Sequence, residues 1–376
     1  MSHSPCSRCI RCAVALAILA LAGCAPAPLP PTPTQPAPTL QVSEGPSPYP
    51  LSDYGPYVVS SQRVAFEDTS RGNREVSLTV WYPAVPPAGK EGDRVVIRPN
   101  LAPDLSGAPY PLLLSSSQMA RDVAPYLVSR GFAWVSVNGI DTYGKMRTQM
   151  YDQPLDLLFA LDQAASGGFE GLEGMIDAEH AGAIGYSFDG YNSLVLSGAR
   201  IDPAYYLAQC PDPDPTTEAV LYGMSSYNCG PAEEWEQFSA QAGEAITASD
   251  DGLWQPITDE RIRSVMPMAG EGWWLFGERG LAAVDRPTLM IVGAEDVLYP
   301  ENALIFEHVG TPDKRMITFA GLGHMLIFDA EPVARIAHFA AAFFGAHLQG
   351  QEDLARYFSE DYVSQHPELG WGARGE

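Results

Sequence analysis

The sequence predicts an α/β fold in which a mostly parallel, doubly wound sheet begins with an antiparallel meander and carries an inserted lid or cap. Buried-strand patterns alternate with amphipathic helix patterns along most of the chain, as they do in parallel sheets. Two early segments instead alternate apolar and polar residues, which indicates antiparallel strands. An acidic stretch over 198–259 interrupts the alternation of strands and helices. Of the 376 residues 46% are hydrophobic, so the chain can bury a sizeable core.

The first 23 residues have the composition of an export signal. The segment begins with cationic "MSHSPCSRCIRC", continues with "AVALAILAL", which is too short to span a bilayer, and ends in small residues before Cys24. The end, "LAGC", resembles the bacterial lipobox, in which the cysteine is lipidated and becomes the mature N-terminus. We therefore expect 1–23 to be removed and Cys24 to anchor an exported lipoprotein on the extracytoplasmic side of a membrane. The alternative is a secreted protein in which Cys24 has no role.

Residues 24–56 are predicted to form a proline-rich linker. The segment begins with "CAPAPLPPTPTQPAPTLQVSEGPSPYP" and has no hydrophobic periodicity. Such a segment cannot form a core and is expected to be an extended spacer.

Apart from Cys24, the other five of the six cysteines fall into two groups. Three lie in the predicted signal with a metal-like C-x-x-C-x-x-C spacing, but they leave with it, so we expect no metal site. In the mature chain Cys210 and Cys229 remain, and an oxidising compartment favours a disulfide between them. Two buried free thiols are the alternative.

The main domain is predicted over 57–365, followed by a C-terminal tail at 366–376. Its strands are predicted at "YVVSSQRVAFED", "REVSLTVWYPA", "YPLLLSS", "GFAWVSVN", "AGAIGY", "IRSVMPMAG", "PTLMIVG" and "RMITFAG". Its helices are predicted at "RDVAPYLVSR", "YDQPLDLLFALDQAAS" and "EPVARIAHFAAAFFGAHL". The insertion at 198–259 is interpreted as a lid or cap cross-linked by the disulfide, with a peripheral insertion of no role as the alternative.

The stretch "AGAIGYSFDGYNSL" places Ser187 between a buried strand and a helix. It nearly matches the nucleophile elbow G-x-S-x-G, in which a strained turn exposes the serine hydroxyl and the next amide, here that of Phe188, faces the oxyanion. Asp189 stands in place of the second glycine. Because aspartate is favoured near a helix N-terminus and Gly190 follows, we expect an altered but active elbow.

Two further residues complete a candidate triad. Asp296 follows the strand in "TLMIVGAED", and His324 lies in the glycine-rich loop "GLGHML" after the next strand. The order serine, acid, histidine, each after a strand, is that of one class of hydrolases. Glu295 is the alternative acid. His338 and His347 lie on or at the end of the C-terminal helix, His308 ends a helix, and His180 lies at the wrong end of the Ser187 strand. The remaining competitor considered is His366, in the predicted tail.

These motifs resemble the α/β-hydrolase superfamily, and within it the group that joins platelet-activating-factor acetylhydrolases with dienelactone-hydrolase-like esterases. The resemblance is carried by "RVAFEDTSRGNREVSLTVWYP", "PLDLLFALDQ", "GYSFDGYNSLVLSGARID", "LAAVDRPTLMIVGAED" and "GHMLIF". It implies an α/β-hydrolase fold and hydrolysis of carboxylic esters, often with short acyl groups, without a metal or organic cofactor.

The chain departs from this group after the third strand of the family pattern, where "LLLSSSQMAR" replaces the usual His-Gly pair. By position, the amide of Met119 is expected to be the second oxyanion donor. Gln118 and the aromatic residues Trp273, Trp274 and Phe276 are expected to line the substrate pocket. Core packing is the alternative for the aromatic residues.

The formal net charge is −24, and the sequence has no run of Lys or Arg, which argues against a nucleic-acid partner. We expect a monomeric, lipid-anchored serine esterase that acts on small-molecule or lipid esters. The alternatives are a catalytically decayed lipoprotein that binds hydrophobic ligands, or a peptidase or acyltransferase with the same triad.

Overall fold

A ten-stranded sheet runs through the protein, as described by a computed structural model for residues 47–90, 97–139, 148–210 and 229–373. The predicted signal 1–23, Cys24 and the linker as far as residue 46 lie outside the described residues, as does 211–228 of the insertion. The strands are β1 (Val58–Asp68), β2 (Arg74–Ala84), β3 (Ile97–Pro99), β4 (Tyr110–Ser116), β5 (Ala133–Val137), β6 (Ile176–Tyr186), β7 (Ile262–Met268), β8 (Thr288–Gly293), β9 (Lys314–Phe319) and β10 (Leu369–Trp371).

The described α-helices lie between these strands along the chain. They are α1 (Ser117–Val128), α2 (Gln149–Ala165), α3 (Phe188–Leu196), α4 (Pro203–Gln209), α5 (Gly230–Glu233), α6 (Trp235–Ala242), α7 (Glu244–Thr247), α8 (Trp273–Leu281), α9 (Tyr299–His308), α10 (Ala330–Leu348) and α11 (Glu360–Val363). Short 3-10 helices occupy Thr69–Arg71 and Glu352–Phe358. Among the described residues, no helix combines the length and apolar character that crossing a membrane requires.

The strand order across the sheet is β10-β9-β8-β7-β6-β4-β5-β2-β1-β3. The hairpin of β1 and β2 is antiparallel, with Val58 opposite Ala84, and β2 also pairs antiparallel with β5. From β5 through β4, β6, β7 and β8 to β9, every pairing is parallel. This topology confirms the predicted α/β fold with a mostly parallel sheet and an antiparallel N-terminal part.

Helices cover both faces of the central strands. All seven residues of β4 are buried, and neighbouring residues point to opposite faces, so Leu113 joins one hydrophobic cluster while Leu112 and Leu114 join the other. The first cluster includes Val123 of α1 and Phe339 of α10, and the second includes Leu157 of α2. Burial on both sides explains why β4 has a continuous apolar sequence instead of an alternating one.

The sheet is longer at its C-terminal edge than the sequence predicts. Within the residues assigned to a tail, β10 pairs antiparallel with β9, with Leu369 opposite Phe319. Nearby, Leu51 donates its N–H to Nδ1 of buried His338 at 3.1 Å, so the residues before 57 also pack on this end of the domain. Burial lowers the pKa of His338 to about 3, which keeps the ring neutral as an acceptor.

The insertion contains an internal disulfide and packs on the rest of the domain through aromatic contacts. Cys210 and Cys229 form the predicted disulfide, with a Cα–Cα distance of 5.5 Å. The two cysteines are separated by 19 residues in sequence. In the chain-entropy account, closing a loop of this size lowers the entropy of the unfolded chain and stabilises the fold by about 3 kcal/mol. Phe238 of α6 packs against Tyr151 of α2 at a ring-centroid distance of 5.4 Å. The interpretation of 198–259 as a lid stays a prediction.

Candidate active site

Ser187 lies at a sharp turn between β6 and α3. Its backbone has φ 58° and ψ −125°, a left-handed conformation that is costly for a residue with a side chain and is often found at functional sites. The turn is held because the Ser187 N–H donates to the carbonyl of Met268 at 2.9 Å and the Gly190 N–H donates to the Ser187 carbonyl at 2.8 Å. A Cβ on Gly185 would lie 2.0 Å from the Asp189 carbonyl oxygen, so only glycine fits there.

The aspartate of the altered elbow is buried and has structural partners. Asp189 Oδ2 accepts the backbone N–H of Ser116 at 2.8 Å, and Oδ1 accepts the side-chain amide of Asn192 at 3.1 Å. In the G-x-S-x-G motif the second glycine allows a close approach of two backbone segments. Here that close approach occurs one residue later, at Gly190, where a Cβ would lie 2.6 Å from the Cα of Gly270. The carboxylate therefore joins the end of β4 to α3, and the shift of the glycine by one position leaves the turn intact.

The three predicted triad side chains meet at the carboxyl ends of the strands. His324 Nε2 lies 3.0 Å from Ser187 Oγ, and His324 Nδ1 lies 3.1 Å and 3.0 Å from the two carboxylate oxygens of Asp296. Asp296 Oδ1 also accepts the backbone N–H of Leu298 at 2.8 Å, which fixes the carboxylate. Of the two acids at this position, Asp296 makes the histidine contact, and Glu295 is exposed to solvent.

This arrangement assigns the histidine tautomer. An ionised Asp296 can only accept, so His324 carries its proton on Nδ1 and presents an unprotonated Nε2 to the Ser187 hydroxyl. The imidazole is further oriented by Tyr186, whose ring centroid lies 5.0 Å away and whose hydroxyl donates to the His324 carbonyl. Ser187 and Asp296 are each 4% exposed, whereas the His324 side chain is 28% exposed, so solvent approaches the site past the histidine.

A fourth side chain at the site, Glu271, is absent from the sequence prediction. It follows β7, the neighbour of β6, and its Oε1 lies 3.3 Å from Ser187 Oγ. Glu271 is 2% exposed, and its Oε2 is buried without a hydrogen-bond partner among the described residues. Burial raises the pKa of Glu271 to about 7; nearby His324 and the Ser187 hydrogen bond oppose that shift, and Asp296 adds to it. The sequence does contain a signal for Glu271. In "MPMAGEG" this acid directly follows the predicted strand, the kind of position at which Asp296 was predicted.

The residues predicted for the oxyanion hole lie at helix starts near the triad. Phe188 is the first residue of α3, and Met119 is the third residue of α1 with a buried side chain. Their roles as amide donors stay predictions. Gln118 lines a cavity of about 790 Å³ together with Trp81 and Asn138, and its Oε1 is buried without a partner among the described residues.

The aromatic residues predicted for the pocket belong to the core. Trp273 and Trp274 are 3% and 5% exposed, and Phe276 is fully buried. Their ring partners are Tyr205 for Trp273 (6.0 Å), Tyr206 for Trp274 (5.8 Å) and Tyr191 for Phe276 (5.3 Å). These contacts favour the core-packing alternative, while a pocket role stays a prediction.

The remaining histidines have partners elsewhere. His180 Nδ1 lies 2.8 Å from Asp177, His308 Nδ1 lies 2.9 Å from the Leu304 carbonyl, His338 is in the core, His347 packs on Phe343 and His366 stacks on Tyr49. In the part of the chain that the structure covers, no group of three or more His, Cys, Asp or Glu side chains is arranged to hold a metal ion.

No protein-family model matches the chain, and no curated protein matches it. The mixed, mostly parallel sheet of ten described strands is consistent with an α/β-hydrolase-like fold. The class of protein is therefore defined by architecture: an α/β protein with a hydrogen-bonded serine, histidine and aspartate at the carboxyl ends of its central strands.

Proposed function

We propose that this protein is an extracytoplasmic, lipid-anchored serine esterase that hydrolyses carboxylic esters through an acyl-enzyme. The observation that carries the proposal is the continuous hydrogen-bonded series from Ser187 through His324 to Asp296, with the serine held on a strained turn. Elements of this kind are costly to maintain, and strain concentrates where it has a function. The intact series argues against the decayed-lipoprotein alternative.

The geometry supports a two-stage reaction. Ser187 Oγ attacks the ester carbonyl while its proton passes to His324 Nε2, and Asp296 stabilises the resulting imidazolium. Backbone amides at the start of α3 and α1, those of Phe188 and Met119 in this proposal, stabilise the oxyanion. The imidazolium then protonates the leaving alcohol. Water hydrolyses the acyl-enzyme with His324 as the base, and the Ser187 hydroxyl is restored.

The surroundings support uncharged esters as substrates. A net charge of −24 repels polyanions, whereas neutral short-acyl, lipid-like or polyester-like esters are not disfavoured. The cavity beside Gln118 offers mostly polar groups, including Thr79 and Asn138. None of the described residues that line this cavity belongs to the triad, so a substrate pocket beside Gln118, in the first turn of α1, stays a prediction.

Ester hydrolysis by the domain beginning at residue 47 should depend on Ser187. With p-nitrophenyl esters of short and long acyl chains, we expect Ser187→Ala to lower kcat by at least about 10⁴-fold, because both stages lose their nucleophile. A fluorophosphonate should label the wild type and not this variant. Ser193→Ala is the matched control, since Ser193 is a buried serine on α3, the helix that directly follows Ser187, and it should retain activity.

The outcomes separate the alternatives. Equal hydrolysis by the wild type and Ser187→Ala would refute the mechanism. Labelling of Ser187 without hydrolysis of any ester would favour a peptidase or an acyltransferase, and absence of both would favour a ligand-binding lipoprotein.

The lipid anchor depends on Cys24. When the full chain is expressed in a bacterium supplied with labelled palmitate, the label should enter the wild type and not Cys24→Ser, and only the wild type should sediment with membranes. Cys12→Ser, which changes a cysteine of the predicted signal, is the control and should retain the label. Equal labelling of Cys24→Ser and the wild type would remove the lipoprotein assignment.

A further inference from the structure

Glu271 contacts the atom on which the proposed reaction begins. Its Oε1 and His324 Nε2 both lie within hydrogen-bond distance of Ser187 Oγ, at 3.3 Å and 3.0 Å. We propose that Glu271 is a further catalytic residue that acts in its protonated form, donating a hydrogen bond to Ser187 Oγ so that the serine proton is directed to His324. The inference rests on the proposed function, since it requires Ser187 to be the nucleophile.

Counting the protons shows why the protonation state matters. The Ser187 hydroxyl has one proton, and attack requires that proton to point at His324 Nε2. An ionised Glu271 can only accept a hydrogen bond, so it competes with His324 for the same proton. A protonated Glu271 donates to a lone pair of Oγ instead, and the hydrogen bonds then run in one direction, from Glu271 to Ser187 to His324.

The surroundings of Glu271 distinguish it from a purely structural carboxylate. Glu301 of α9, which lies beside the same loop, accepts the backbone N–H groups of Gly272 and Trp273 at 2.7 Å and 2.9 Å. Glu271 Oε2, in contrast, is buried without a partner among the described residues. A buried carboxyl oxygen without a donor favours the neutral acid over the anion, because nothing replaces the water that the anion has lost.

The charged groups that face Glu271 do not reverse this preference. They are His324 and Asp296 of the triad, with Glu301 on α9. In the transition state an ionised Glu271 would attract the imidazolium and repel the oxyanion, two effects of opposite sign. We take competition for the serine proton as the deciding effect. Since burial raises the pKa of Glu271 to about 7, both of its forms are populated near neutral pH.

The test compares the wild type with Glu271→Gln, whose side-chain amide donates to Ser187 at every pH. The measured quantity is the rate of Ser187 labelling by a small fluorophosphonate, expressed at each pH as the ratio of wild type to variant. The ratio should fall about tenfold from about pH 6 to about pH 8, since a group with a pKa of about 7 changes from mostly protonated to mostly ionised over that range. Glu295→Gln, which removes an exposed carboxylate, should give a constant ratio.

Two further measurements keep the test decisive. If Glu271→Gln does not fold, Glu271→Ala replaces it, because this variant also lacks the titrating carboxyl group. The ratio of wild-type to Glu271→Ala labelling rates should then show the same dependence on pH. Infrared difference spectra of the wild type at low and high pH should show a protonated carboxyl band that is missing from the variant. A constant ratio with normal labelling of the wild type would overturn this inference alone, whereas a wild type that is not labelled at any pH would overturn the proposed esterase function with it.

Discussion

Replacement of Asp296 by asparagine is expected to lower kcat/KM for ester hydrolysis by about 10⁴-fold, with little loss of stability. The Asp296 carboxylate accepts from His324 Nδ1, which leaves Nε2 free to accept the Ser187 proton. An asparagine amide can donate to Nδ1 instead, so the ring takes up the opposite tautomer and Nε2 carries a proton. The measurement is a steady-state assay with p-nitrophenyl acetate, with thermal unfolding to check the fold.

The adjacent Glu295 provides the matched control for this substitution. It is an acid one residue away but is exposed to solvent, so Glu295→Gln should change kcat/KM less than about twofold. If Glu295→Gln lost most of its kcat/KM while Asp296→Asn stayed active, Glu295 and not Asp296 would be the acid of the triad.

Gly185→Ala is expected to lower the free energy of unfolding by about 3 kcal/mol and to abolish labelling of Ser187. The added Cβ would lie 2.0 Å from the Asp189 carbonyl oxygen, and backbone cannot yield as a flexible side chain does. The first turn of α3 would have to move away from β6, and Ser187 Oγ would move with it. Chemical denaturation measures the first effect and fluorophosphonate labelling the second.

The control for this prediction is Gly230→Ala. Among the described residues no atom lies within 4 Å of a Cβ at Gly230, and its backbone conformation is not left-handed, so the stability should change by less than about 0.5 kcal/mol. Wild-type stability of Gly185→Ala would mean that the turn tolerates a displaced helix and that its close packing is not required.

Much of the scaffold is encoded locally. The buried strands β4 and β8 and the second half of β6 are short apolar runs, and amphipathic helices lie between the strands, so these elements and their parallel arrangement follow from periodicity. Because residues directly after parallel strands gather at one edge of the sheet, Ser187, Asp296 and His324 can be predicted as neighbours from their positions in the chain alone. The disulfide follows from the presence of two cysteines besides Cys24 in the predicted mature chain.

Other features depend on contacts between distant segments. The three residues of β10 are too few for a periodic signal, and their pairing with β9 provides the structure. Asp189 is explained by the amide of Ser116, which lies 73 residues earlier in the chain. No local sequence pattern predicts a hydrogen bond between residues so far apart in the chain.

The sequence alone determined the class of fold and the three residues of the candidate triad, because strand and helix periodicity and the position after a strand are local properties. Only the tertiary structure placed Glu271 against Ser187, 84 residues away in sequence, and assigned the aromatic residues after β7 to the core. The physical reason is that strand order and side-chain burial decide which polar groups meet without water. Periodicity shows that a residue follows a strand, but the neighbouring strands determine what its side chain contacts.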